Sequence, residues 1–170
     1  QKGTAHAVLA AAPLLEDFTG NVLIVYGDTP LVPLETYQDL IASDAKLALL
    51  AFDAGEPGRY GRVIGDERSV DKVVEAKDAS PEELQVTLCN SGVFFGDWLF
   101  VHALLQSVDN QNTAGEYYLT DIVALARASG AEVQAVRGAE ASFLGVNSPQ
   151  DLQAAEAAYQ IAKRAELIEN

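Results

Sequence analysis

The chain has 170 residues, 49% hydrophobic and 21% charged, with 25 acidic against 11 basic side chains and a net charge of −14. That length suits one domain with a substantial core, and the acidic balance excludes a nucleic-acid or anionic-membrane surface as the expected partner. A small phosphorylated ligand stays open, because a metal ion and backbone N–H groups reverse the sign locally inside a cleft. No apolar run approaches a membrane span, and no signal-peptide pattern opens the chain. The single cysteine, Cys89, rules out an internal disulfide and agrees with a reducing compartment. The chain begins at Gln1 and contains no methionine, so a preceding segment is expected.

Residues 3–12 start with Thr4, a candidate N-cap, and continue with strong helix formers. His6 on this segment reads as a half-buried surface histidine. Residues 13–20 lead into residues 22–26, an unbroken apolar and aromatic run that ends at Gly27, Asp28, Thr29 and Pro30. Such a run predicts a parallel strand buried on both faces. Ligands of open α/β sheets bind beyond the carboxyl ends of such strands. Asp28 would sit there beside a glycine that admits a ligand to the backbone. Two readings stand for it: a carboxylate for a hard divalent cation that also touches phosphate, or a helix cap in a plain turn.

Residues 33–42 predict a helix with Pro33 in its first turn and Leu34, Tyr37 and Leu40 or Ile41 facing inward. Residues 46–52 predict a second buried strand, which completes a βαβ unit. Residues 60–64 and 70–75 read as a hairpin around a polar turn. Ser80 and Pro81 open a short helix, and residues 86–95 form a strand interrupted by Asn90, Ser91 and Gly92. Cys89 reads as a small core residue. Helices are predicted over 97–105, with Trp98 and Leu99 packing, and over 116–127, with Gly130 as C-cap. A strand follows at 132–136 and a short run at 143–148. A final helix, from Gln150 to about Ile168, is capped by Ser148 with Pro149 at its first position.

No nucleophile elbow, zinc signature or Walker phosphate loop is present. Small polar motifs stand instead at strand ends and turns: Gly3-Thr4, Tyr26-Gly27-Asp28, Tyr60-Gly61-Arg62, Glu75 with Lys77 and Asp78, Asn90-Ser91-Gly92, Tyr117-Tyr118 with Thr120-Asp121, and Gly145 with Asn147. Glycines beside acids, amides and tyrosines on several strands suggest a cleft for a ligand rich in hydroxyls and phosphates.

In this order the segments GTAHAV, VLIVYGDTPLV, GRYGRVI, VVEAKDAS, CNSGV, GEYYLTDIVALA and GVNSPQDL resemble the uridyltransferase domain of the bifunctional N-acetylglucosamine-1-phosphate uridyltransferase/glucosamine-1-phosphate acetyltransferase family. The resemblance covers nearly the whole chain. It implies a Rossmann-like nucleotidyltransferase fold of the α/β class: a mixed, mostly parallel sheet flanked by helices, here as a partial domain. It implies a nucleotidyltransferase domain over 1–148 and a linking helix over 149–170. It also implies a cytoplasmic enzyme of cell-envelope precursor synthesis. That enzyme transfers UMP from UTP to N-acetylglucosamine 1-phosphate, giving UDP-N-acetylglucosamine and pyrophosphate with Mg²⁺ as cofactor. A nucleotidyltransferase for another sugar 1-phosphate and a non-catalytic sugar-nucleotide-binding fragment are the alternatives.

Residue by residue, the resemblance implies that Gly3 and Thr4 contact the nucleotide near the uracil. Tyr26, Gly27 and Asp28 contact the nucleotide sugar, with Asp28 as the catalytic metal ligand and Asn147 as the second protein ligand. Gly61, Glu75 and Asn90 hold the amino sugar, and Tyr118 and Thr120 complete the pocket. Gln1 is a candidate for a glutamine that precedes the family's Gly-Thr pair. The family's N-terminal glycine-rich loop and C-terminal β-helix are not in this sequence, so the chain alone is expected not to turn over, whereas the full-length family member is a homotrimer.

Overall fold

A computed structural model describes residues 2–169. Gln1, and with it its reading as the glutamine that precedes the family's Gly-Thr pair, lies outside them. The sheet has six strands: β1 (Asn21–Ile24), β2 (Leu47–Asp53), β3 (Arg62–Asp66), β4 (Ser69–Val74), β5 (Leu88–Asp97) and β6 (Val133–Arg137). Among the described residues there are five α-helices: α1 (Thr4–Leu9), α2 (Leu34–Ile41), α3 (Trp98–Ser107), α4 (Asp121–Ala128) and α5 (Pro149–Glu169). The strand order is β4-β3-β5-β2-β6, and β1 pairs with β5.

The mixed α/β sheet is as expected, but its direction is not. Among the described residues only β2–β6 is a parallel pairing; β1–β5, β2–β5, β3–β4 and β3–β5 are antiparallel. The predicted βαβ unit is split, because β5 lies between β1 and β2 and runs against both. The opening strand is also not buried on both faces. It is four residues long, pairs only with β5 and leaves Leu23 and the adjacent Val25 well exposed.

β2 shows why a continuous apolar run builds a central strand. Its side chains alternate between two cores. Leu47, Leu49 and Ala51 join a cluster with Phe94, Trp98, Leu105, Leu119, Ile122 and Val133, beneath α1, α3 and α4. Ala48, Leu50 and Phe52 join the other, with Leu40, Cys89, Val93, Phe95 and Phe143, beneath α2. Cys89 is fully buried there, and burial raises its thiol pKa, so it is a packing residue.

β5 carries the decisive irregularity. Leu47, Ala48 and Leu49 pair with Gly96, Phe95 and Phe94, whereas Ala51, Phe52 and Asp53 pair with Asn90, Cys89 and Leu88. Two extra residues of β5 therefore bulge between Asn90 and Phe94. On its other edge, β1 pairs with residues 94–97 and stops, and β3 begins opposite Cys89. The two strands meet β5 end on and leave a gap over the bulge.

Several local readings change. α1 starts one residue earlier in role than expected: Gly3 is the N-cap, and the Thr4 hydroxyl accepts a hydrogen bond from Leu119 N–H (2.8 Å) instead of capping. α1 ends at Leu9, well before residue 12. In α2, Leu40 faces inward while Leu34 and Ile41 are exposed; in α3, Trp98 is buried and Leu99 is exposed. α4 begins at Asp121, because residues 117 and 119 are held by residues 2, 4 and 5 through backbone and Thr4 bonds. Residues 143–148 form no strand; a 3-10 turn occupies Glu140–Phe143. The hairpin forms as expected, and Ser80 and Glu83 cap each other reciprocally. Ser148 caps α5 by accepting from Asp151 N–H.

Arg62, at the start of β3, is 3% exposed. Its guanidinium donates to the carbonyls of Pro57, Gly58 and Tyr60, and so ties the preceding loop into one shape. Removing the donor leaves the Gly58 and Tyr60 carbonyls without that partner, while Pro57 keeps the Tyr60 N–H. Arg62→Met should lower stability by about 3 kcal/mol, measured by urea unfolding.

Candidate active site

The gap over the bulge opens into a cleft of about 380 Å³. Its floor is Asn90, Ser91 and Gly92. The bulge satisfies its own polar groups: Gly92 N–H donates to Asn90 Oδ1 (3.1 Å), and Ser91 Oγ donates to the Leu50 carbonyl (2.8 Å) and accepts from Val93 N–H. Gly92 has φ +86, and a Cβ there would lie 2.4 Å from the Tyr26 ring. Glycine is needed on both counts, since the ring lies against the backbone of the bulge.

Tyr26 forms one wall. Burial raises its phenol pKa, the Thr4 hydrogen bond opposes this, and the charges of Glu75 and Asp28 add to it, so it stays a neutral phenol. Beyond β1 the chain turns, with Thr29 Oγ1 donating to the Tyr26 carbonyl (3.3 Å). This turn carries Asp28. No helix starts at it, so Asp28 is not a cap; α2 is entered from Pro33.

The Asp28 carbonyl accepts from Val146 N–H at 2.7 Å, which joins two segments far apart in sequence. Their side chains converge at Gly145. A Cβ built there would lie 3.2 Å from the Asn147 side-chain nitrogen and 3.8 Å from Asp28 Oδ2. A half-turn of the amide exchanges its nitrogen for its oxygen. One carboxylate and one amide, both oxygen donors with space between them, fit a hard divalent cation whose other ligands are water or phosphate. Among the described residues no group of three or more histidine, cysteine or acidic side chains offers a closed metal cage.

Glu75, just past β4, faces the cleft from the opposite side. Burial raises its pKa, the hydroxyl of Thr120 lowers it by donating to Oε1 (3.0 Å), and Asp78 raises it. Gly61 leaves room beside it: a Cβ there would lie 3.6 Å from both Glu75 oxygens and 3.2 Å from Val73. Tyr118 completes this side. Its hydroxyl bonds to Asp78, which also accepts from Thr113 N–H, so Asp78 braces the loop that carries Tyr118.

Eight of the sequence-predicted site residues therefore line one cleft: Thr4, Tyr26, Asp28, Gly61, Glu75, Asn90, Tyr118 and Asn147. Three do not. Thr120 is buried behind Glu75. Gly3 has φ +115 and sits 2.4 Å, by its virtual Cβ, from the Tyr117 carbonyl, so its place is packing. Gly27 lines an adjoining apolar groove with Ala7, Val8 and Ile24, and nothing lies within 4 Å of its virtual Cβ. His6 lies in another groove, with Lys2 and Leu105.

Arg59 and Tyr60 line the cleft too and were missed as site residues. The signal was their position directly before Gly61. Asp121, beside Thr120 at the start of α4, has no role in the sequence reading. Its pKa is raised to about 6, first by burial and then by the charges of Asp109, Glu75 and Asp78.

The chain is 50% identical over 99% of its length to the bifunctional protein GlmU of Ruegeria sp. (strain TM1040). It is 48% identical over its full length to that of Cereibacter sphaeroides (strain ATCC 17025 / ATH 2.4.3). The chain is similar in sequence to a part of each of these proteins. It spans 38% of the length of either protein. No protein-family model matches it. Among solved structures, it superposes on a nucleoside-diphosphate-sugar pyrophosphorylase from Vibrio cholerae RC9 with TM-score 0.65, covering 90% of this chain and 64% of that one at 15% identity. The inositol-1-phosphate CTP transferase of T. maritima gives TM-score 0.64, covering 88% and 58% at 17% identity. These likenesses establish the nucleotidyltransferase fold. The GlmU relationship rests on sequence.

Two outcomes follow from this geometry. Gly92→Ala should cost about 2 kcal/mol or more in urea unfolding, because ring clash adds to backbone strain. Gly115→Ala, at φ +67 with open space around it, should cost less. The raised Asp121 pKa means that the folded state holds its proton more tightly than the unfolded chain does. Stability therefore falls as pH rises from about 4 to about 6. Asp121→Asn should remove that fall and stabilise the protein at pH 7 by about 1 kcal/mol, discounted because the group is half exposed. The difference should vanish near pH 3.5, as read by unfolding at both pH values.

Proposed function

We propose that the chain is the nucleotidyltransferase part of a GlmU-type enzyme that makes UDP-N-acetylglucosamine and pyrophosphate from UTP and N-acetylglucosamine 1-phosphate. The observation that carries this reading is the convergence of Asp28 and Asn147 at Gly145, in the cleft whose floor holds Asn90 and whose far side holds Gly61 and Glu75.

In the reaction, an oxygen of the sugar 1-phosphate bonds to the α-phosphorus of UTP as the bond to the β-phosphate oxygen breaks and pyrophosphate leaves. Positioning and charge stabilisation supply most of the catalysis in such a transfer. Glu75 accepts from hydroxyls of the amino sugar, and the Thr120 hydrogen bond fixes which carboxylate oxygen is free to do so. Gly61 and Asn90 present backbone and amide groups to the same sugar, and Tyr118 closes that end. Tyr26 forms a flat wall, with Thr4 on the nucleotide side. Asp28 and Asn147 would hold Mg²⁺, which supplies positive charge to the phosphate oxygens when bound.

The same reading places the protein in the cytoplasm, in cell-envelope precursor synthesis, with residues 1–148 as the transferase domain, 149–170 as a linking helix and a homotrimer as the full assembly. The −14 net charge fits small phosphorylated ligands held with a metal better than nucleic acid; no described helix is long and apolar enough to cross a membrane.

In the intact gene product, Asp28→Ala should reduce UTP-dependent pyrophosphate release by at least about 100-fold, with the far-UV circular dichroism and melting curve unchanged. The backbone bond from Val146 N–H survives the substitution, so the fold should too. An unfolded variant would make Asp28 a structural residue instead. N-acetylglucosamine 1-phosphate should outcompete other sugar 1-phosphates in the same assay.

A further inference from the structure

The cleft is lined by two carboxylates, Asp28 and Glu75, and among its described lining residues by one cationic side chain, Arg59. Most other arginines near the sheet are committed elsewhere. Arg62 is buried on three carbonyls. Arg127 pairs with Asp71, and Arg137 with Asp53 and Glu67. Arg59 is exposed, and no described residue hydrogen-bonds or ion-pairs with its guanidinium. The backbone that carries it is nevertheless fixed. The carbonyls on either side of it, of Gly58 and Tyr60, both point inward to Arg62. A residue between two inward-facing anchors is held at the rim of the cleft without being held by its own side chain. Arg59 also lines the groove that opens next to Glu75, together with Lys77 and Tyr118.

We propose that Arg59 is a substrate-binding residue whose guanidinium pairs with a phosphate oxygen of the sugar nucleotide. This rests on the function proposed above and adds a contact to it. A planar fork of N–H donors suits a phosphate, and the bond is charge-assisted. A fixed backbone lowers the ordering cost of the contact, and the uncommitted side chain has no internal bond to give up. In a chain this acidic, a cation at the cleft also offsets the repulsion between the carboxylates and an incoming phosphate.

The test is calorimetric titration of the intact gene product with UDP-N-acetylglucosamine and Mg²⁺, at low and high salt. Arg59→Ala should weaken binding by about tenfold or more, and the loss should shrink at high salt. Arg59→Lys should recover part of it. Both variants should melt with the wild type. Affinity of Arg59→Ala within about twofold of wild type would overturn the proposal and leave the proposed function standing. A loss that is independent of salt and not recovered by lysine would also overturn it. Absence of binding by the wild type would overturn the proposed function and this contact together.

Discussion

The geometry of the molecule depends on the two-residue insertion in β5. A one-residue bulge would send every later side chain of the strand to the opposite face. Two residues preserve the alternation. Leu88 and Phe94, on either side of the bulge, belong to one core, and Cys89, Val93 and Phe95 belong to the other. The strand therefore stays buried from Leu88 to Gly96 while its backbone departs from the ladder in the middle. That departure separates β1 from β3 along the same edge, and the cleft is the space between their ends. A regular β5 would carry the same core and have no floor for a site.

The bulge could not be inferred from Asn90, Ser91 and Gly92 as a sequence, because their side chains look like a break in a strand. In the structure they replace the ladder bonds that the bulge removes. Ser91 reaches the Leu50 carbonyl on β2, and Asn90 accepts from the backbone two residues on. Buried polar groups with partners are tolerated where unpaired ones are costly. The three residues are therefore structural and site-forming at once.

Much of the fold was legible locally. The helices after Pro33, Asp97 and Ser148, the hairpin and the central strand β2 all follow from caps, turn residues and apolar periodicity. What local pattern could not supply was strand direction. An apolar run such as residues 22–26 reads the same in an edge strand as in a central one, and only pairing with β5 decides between them. The inward face of α2 was misjudged at Leu34 for a related reason: with β1 at the edge, the helix packs chiefly through Leu40 beneath β2. The α4 boundary was missed because residues 116–120 have helical composition, but Tyr117 and Leu119 spend backbone bonds on Lys2, Thr4 and Ala5, a contact between distant segments. For the site, a family resemblance brought Asp28 and Asn147 together before any geometry did. Arg59 and Asp121 escaped because their roles come from neighbours, a buried arginine in one case and three nearby acids in the other.

The glycines of the motifs divide by what fills the space a side chain would occupy. At Gly3 and Gly92 the protein fills it, with the Tyr117 backbone and the Tyr26 ring. Substitution there acts through folding. At Gly145 the nearest atoms are the Asn147 and Asp28 side chains, at 3.2 and 3.8 Å, and at Gly27 there is nothing within 4 Å. A methyl group at Gly145 fits the fold with little adjustment, yet it would stand in the gap between the two oxygen donors. Packing therefore demands glycine at the first pair and hardly at the second, where the space is left to whatever the cleft binds. By that criterion the two sides of the cleft differ: the wall at Tyr26 is built from close packing, and the Asp28–Asn147 corner is not.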